Sequence, residues 1–141
     1  MAEAEFHDGL DPALIDELVQ LYAGEWWTDD RERRHVEPML AGSDLVISAT
    51  GPAGELVGFV RAITDGVFRA TIFDVIVRPD WRDRGIGAEL IRRAHDHPVL
   101  AGCRRVELIC LEEMVPWYER FGYEVAAPEH LRMVWRRPGW S

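Results

Sequence analysis

The chain contains no lysine, no asparagine and only two cysteines in 141 residues. Each shortage excludes something. Without lysine there is no Gly-x-x-x-x-Gly-Lys-Ser/Thr loop, so a P-loop nucleotide site is ruled out. Cys103 and Cys110 make no Cys-x-x-Cys and no metal-ligand spacing, so no metal is expected. They read as reduced thiols of a cytoplasmic protein. No apolar run approaches the roughly 20 residues that span a bilayer, so no membrane partner is expected. The opening Met-Ala-Glu-Ala-Glu lacks the basic-then-apolar layout of a signal peptide. The net charge is −9. A nucleic-acid binder shows a basic face, so nucleic acid is disfavoured as a partner.

What is present suits an ordinary globular domain. Apolar residues make up 48% and charged residues 29%, and the length supports one sizeable core, so residues 1–141 are taken as a single domain. Asp11-Pro12 reads as a helix start. Leu14, Leu18, Leu21 and Tyr22 then recur at helical spacing. Thr28 is taken as the N-cap of a second helix carrying Val36, Met39 and Leu40, ended by Gly42. A short first strand at Glu3–His7 is open. Strands are expected over Asp44–Ala49, Leu56–Thr64 and Phe68–Val77. Turns at Thr50–Gly54 and Asp65-Gly66 join them. A helix to about His97, broken by Pro98, precedes a strand over Arg104–Leu111 and a short helix over Glu113–Phe121. Val125 and Leu131–Arg136 supply a last hairpin. This order is α/β with a mixed sheet.

The most informative stretch is Ile72-Phe-Asp-Val-Ile-Val77-Arg-Pro-Asp-Trp-Arg82-Asp-Arg-Gly85-Ile-Gly87-Ala. An apolar, β-branched run meets a proline. An Arg-x-x-Gly-x-Gly loop then opens directly into a helix. Such a helix start presents unpaired backbone N–H groups and binds phosphate or pyrophosphate. The dinucleotide fingerprint Gly-x-Gly-x-x-Gly does not fit, because Leu90 stands where the third glycine belongs. Every cationic side chain counted in the net charge is arginine. Arg78, Arg82, Arg84, Arg92 and Arg93 lie around this loop, a rim suited to an anionic ligand.

The strand, proline, loop and helix together resemble the GNAT superfamily of acetyl-CoA-dependent N-acetyltransferases. Pro116-Trp117-Tyr118-Glu-Arg-Phe121-Gly122-Tyr123 resembles the second signature of that family, Phe-Tyr-x-x-x-Gly-Phe. The two motifs cover about residues 77–123. The resemblance implies a mixed, mostly antiparallel central sheet of about 6–7 strands flanked by about 4 helices. It also implies acetyl-CoA as co-substrate, held by Val75, Ile76, Val77, Arg82, Asp83, Arg84, Gly85, Ile86, Gly87 and Ala88. Backbone groups near Val75 and Val77 would hold the pantetheine arm and polarise the thioester, while the loop amides hold the pyrophosphate. Tyr118 would protonate the departing thiolate. A phenol with an ordinary pKa of about 10 is protonated at neutral pH and can do so.

The implied acceptor is a primary amine of a small molecule or peptide. Trp26 and Trp27, with Arg31 nearby, lie where relatives cover the acceptor. They form either an aromatic wall for an amine or part of the packing. The base is the weak link. Alternation from Val77 puts Val75, Phe73 and Thr71 on one face, and none of these is a base. Asp74 points to the opposite face unless a bulge intervenes. Glu107, Glu112 and Glu113 are further candidates. This gap keeps open a non-catalytic acetyl-CoA sensor or partner module. Acylation of an aminoacyl-tRNA is opposed by the net charge. Relatives often dimerise, and the sequence leaves a homodimer open.

Overall fold

The structure is a computed structural model in which residues 3–126 and 131–140 are described. Two compact units make up the chain, one ending at Ile109 and the other beginning at Cys110.

The first unit carries a five-stranded sheet in simple sequence order. Its strands are β1 (Glu5–Asp8), β2 (Leu45–Thr50), β3 (Leu56–Thr64), β4 (Arg69–Val77) and β5 (Arg105–Glu107). The first three pairings are antiparallel and β4–β5 is parallel. The mixed, mostly antiparallel α/β class therefore stands. The described residues form five strands rather than 6–7, and five α-helices rather than 4. Residues 131–137 carry no strand, although their composition favours one. The expected turn of that hairpin overlaps residues outside the described ones.

Helices α1 (Ile15–Ala23) and α2 (Arg33–Ala41) cover one sheet face. Ile15, Leu18, Tyr22 and Val36 pack there on Leu56, Phe59 and Ile76. Burying such aliphatic and aromatic side chains stabilises the fold by roughly 1.5–3 kcal/mol each. Asp11 caps the entry turn by accepting from the Ala13 N–H at 2.9 Å. Thr28 does not cap α2. It is fully buried, and its hydroxyl donates to the Tyr22 carbonyl at 2.8 Å, closing the end of α1. That leaves α2 to begin after Glu32, whose N–H donates to His35 Nδ1 at 3.1 Å.

The turns follow local chemistry. Gly54 adopts φ +80° in the β2–β3 connection. The β3–β4 connection is longer than a two-residue hairpin. Asp65 Oδ1 accepts from the N–H groups of Val67, Phe68 and Arg69, so β4 starts at Arg69. These three donors hold the Asp65 carboxyl below its ordinary range.

Helix α3 (Ile86–Asp96) covers the other face. It ends before Pro98, and a short α4 (Pro98–Ala101) follows. Gly58 on β3 permits the contact. A Cβ there would lie 2.9 Å from Ile86 Cγ2 and 3.2 Å from Leu90 Cδ1. Gly58→Ala should destabilise by about 1–3 kcal/mol through overpacking. Urea unfolding checks this, and an unchanged midpoint would refute the close approach.

In the second unit, a 3-10 turn over Glu112–Met114 leads into α5 (Val115–Glu119), shorter than the expected Glu113–Phe121. Strand β5 likewise stops at Glu107 rather than Leu111.

Candidate active site

Strand β4 is irregular where its sequence is most apolar. Phe59 pairs with Ile76, and Arg61 pairs with Phe73, so Val60 faces both Asp74 and Val75. This is a β-bulge, and Asp74 takes φ +60° within it. A bulge re-aims side chains, and this one overturns the simple alternation read from the sequence. Phe73 lies on the α1–α2 face, under the Arg61 guanidinium at 4.6 Å. Val77 pairs with Gly58, whose missing side chain faces α3.

Asp74 turns to the α1–α2 face, where one of its carboxylate oxygens gathers three donors. Its Oδ2 accepts from Arg61 Nε at 2.6 Å, Arg31 Nη1 at 2.7 Å and the Tyr22 hydroxyl at 3.0 Å. Asp74 and Arg61 are buried, and the Arg31 side chain is 26% exposed. Burial first, then the Asp74 charge, raises the Tyr22 phenol well above its ordinary value. For Arg31, burial acts to lower the value. The hydrogen bond and charge of Asp74 outweigh it and hold the group up. These three contacts tie Asp74 to β3, to α1 and to the turn before α2, a structural role.

β4 leaves its neighbour early. The parallel ladder with β5 holds only at Arg69–Arg105, Ala70–Val106 and Thr71–Glu107. Val75, Ile76 and Val77 lie beyond the last rung. Glu107 stands at that rung, with Arg105 Nη1 3.5 Å from its Oε1.

Val77 runs into a 3-10 turn at Pro79–Trp81 and then the glycine loop. Asp83 (φ +62°) and Gly85 (φ +78°) both take left-handed conformations. Gly85 is the N-cap of α3, and no side chain caps that end. The first-turn amides of Ile86, Gly87 and Ala88 have no intrahelical acceptor. Together with the helix dipole they favour an anion. A pyrophosphate fits this chemistry.

The arginine rim is more neutral than its composition suggests. Arg78 pairs with Asp80, and Arg92 and Arg93 pair with Glu89. Arg84 stacks on Trp81 at 4.4 Å. Arg82 donates from Nε to the Val77 carbonyl at 3.1 Å and from Nη2 to Glu25 Oε1 at 2.8 Å. It therefore ties the loop to the turn between α1 and α2.

That turn holds Trp26 and Trp27, 72% and 41% exposed. Neither is core packing. Arg31 leaves the turn surface for Asp74 and lies 4.6 Å over the Tyr22 ring. Tyr118 lies in the second unit, ring to ring with Trp117 (4.8 Å) and Tyr123 (5.8 Å). Burial, with Cys110 adding to it, pushes its phenol up to about 12. Glu112 and Glu113 are exposed in the same unit.

Sequence reasoning missed Tyr22, Arg61 and Glu25. An aspartate inside Ile-Phe-Asp-Val-Ile opposite an arginine inside Phe-Val-Arg-Ala was the available signal. Buried charges on adjacent strands must pair.

Comparison with known proteins agrees with this geometry. The model of the Acetyltransferase (GNAT) family matches residues 12–123. The uncharacterized N-acetyltransferase ycf52 of Pyropia yezoensis is 30% identical over 123 residues, covering 84% of this chain and 70% of that protein. The chloroplastic serotonin N-acetyltransferase 2 of Oryza sativa is 30% identical over 127 residues, covering 88% and 61%. The crystal structure of a candidate acetyltransferase from Deinococcus radiodurans R1 superposes with a TM-score of 0.75 at 31% identity, covering 92% of this chain and 87% of that one. The strand that opens, the left-handed glycine at the helix start and these likenesses lead to one conclusion: the chain belongs to the GNAT acetyltransferase family.

Proposed function

We propose that residues 1–141 act as one catalytic domain that transfers the acetyl group of acetyl-CoA to a primary amine of a small molecule or peptide. The observation that carries this is the course of β4. It leaves β5 after Thr71, continues to Val77 and then delivers an uncapped helix start behind Gly85. An extended thioester arm and its pyrophosphate need such a strand edge and such a helix start in succession.

In this reading Val75, Ile76 and Val77 hold the pantetheine arm, and their fixed backbone donors polarise the thioester carbonyl. The loop from Arg82 to Ala88 holds the pyrophosphate. The neutral amine attacks the carbonyl carbon, a C–N bond forms, and the C–S bond breaks. The amine loses its surplus proton to water, and the sulfur takes a proton from Tyr118. Asp74 Oδ2 already holds three donors, and no role as base is assigned to it. That same engagement favours the second reading, an acetyl-CoA sensor without turnover. Both cysteines are free, in keeping with a reducing compartment such as the cytoplasm. No helix among the described residues is long and apolar enough to cross a membrane. With a net charge of −9, nucleic acid is not assigned as a partner.

The Tyr118 role has a pH signature. Its raised phenol stays protonated to about 12. The rate should therefore climb as the acceptor amine loses its proton, with no falling acid limb at moderately alkaline pH. Tyr118→Phe should lower kcat about 10-fold across that range. The loss is modest because a thiolate leaves readily. Equal rates for both proteins at every pH would remove Tyr118 as the acid.

A further inference from the structure

We infer that Arg31 selects an acceptor carrying a carboxylate close to its reacting amine, an amino acid or similar zwitterion rather than a simple amine or polyamine. The inference rests on the acetyltransferase reading above and names its acceptor class.

The charge balance comes first. The cluster holds two guanidinium cations, Arg61 buried and Arg31 partly exposed, and one buried carboxylate, with a neutral Tyr22 hydroxyl, so two positive charges and one negative leave +1. Low surrounding polarity makes an unbalanced charge count for more. Arg61 is buried, so Arg31 is the member a ligand can reach. The Arg31 contacts to Asp74 and to Met39 Sδ (3.7 Å) both use Nη1. A guanidinium offers five N–H donors in a planar fork that matches a carboxylate. Its place over the Tyr22 ring fixes it before any ligand arrives.

Location comes second. Asp74, which Arg31 grips, immediately precedes Val75, the first residue assigned to the thioester arm. An α-amino acid needs its carboxylate only one carbon away from the attacking nitrogen. The carboxylates near Arg31 in sequence do not cancel its charge at short range. Glu25 pairs with Arg82, Glu32 pairs with Arg34, and Asp29 and Asp30 are solvent-exposed, where screening is strong. A cationic acceptor without a carboxylate meets an uncompensated like charge. The exposed rings of Trp26 and Trp27 supply apolar surface for the rest of such an acceptor.

The test uses matched pairs, tryptophan with tryptamine and phenylalanine with phenethylamine. Acetyl-CoA is the donor, and kcat/KM is expressed on the unprotonated amine. The carboxylated member should be preferred about 10- to 100-fold, the effect of one charge-assisted pair. Arg31→Gln should bring the ratio near unity through KM, and Arg31→Lys should keep part of it. If Arg31→Gln does not fold, the wild-type ratio and the Lys variant decide. Equal or better use of the decarboxylated amines would overturn the inference and leave the acetyltransferase reading intact. Acetylation of no member would also overturn it. Titration of acetyl-CoA into the same preparation then shows whether the wider reading has failed as well.

Discussion

Gly85→Glu should remove measurable acetyl-CoA binding while leaving a folded protein. A Cβ at this position would meet nothing within 4 Å, so a side chain can leave the backbone here without a clash. The backbone is less tolerant: φ is +78°, where a residue with a Cβ is strained by about 1–2 kcal/mol. A carboxylate beside a helix N-terminus recovers part of that through the dipole. Binding is different, because the new charge sits where the proposed site puts the pyrophosphate. Like charges in close contact cost several kcal/mol, and each 1.4 kcal/mol is tenfold in affinity, so a loss of about 100-fold or more follows. Gly85→Ala is the control, carrying the strain without the charge and keeping most of the affinity. Calorimetry on the three proteins reads the effect. Wild-type affinity in Gly85→Glu would place the anion elsewhere.

Asp74→Ala should be the most destabilising single change among the site residues. It leaves Arg61 buried and Arg31 partly buried without their shared anion, and it leaves the Tyr22 hydroxyl only the weak acceptor Met39 Sδ at 3.6 Å. Breaking a buried pair from one side costs about 3–5 kcal/mol, because the remaining charge stays uncompensated. The left-handed φ adds strain, since alanine tolerates it less well than aspartate. Asp74→Asn should lose less. It accepts a hydrogen bond and suits the conformation, but carries no charge. Denaturant unfolding of both variants measures the difference. A loss below about 1 kcal/mol in Asp74→Ala would show that the cluster is not the keystone of the bulge.

These two residues also mark how far the sequence could be read. The glycine loop was legible because its chemistry is local. A strand, a proline, a left-handed glycine and a helix start follow one another within about 15 residues, and each has its own residue signature. The core strands were legible for the same reason. The bulge was not, because it depends on which residue of β3 faces which of β4, and periodicity carries no register. Once Asp74 is turned, Arg31 follows it, and a residue weighed as a neighbour of an aromatic wall becomes the partly exposed arm of an ion cluster. Thr28 failed similarly. Its hydroxyl suits a helix start, but it donates instead to the carbonyl of Tyr22, which also accepts from the Glu25 N–H at 3.2 Å. Glu25 gave no signal at all, since its partner Arg82 lies 57 residues away.

The central claim is that this chain acetylates an amine with acetyl-CoA. Its most direct test follows thiol release from acetyl-CoA over a panel of amino acids, arylalkylamines, polyamines, aminoglycosides and peptides, with mass spectrometry of each product. Thiol release that requires an acceptor is expected, matched by a product one acetyl group heavier. Tight acetyl-CoA binding with no acetylated product from any acceptor would contradict it and leave a binding module in place of an enzyme.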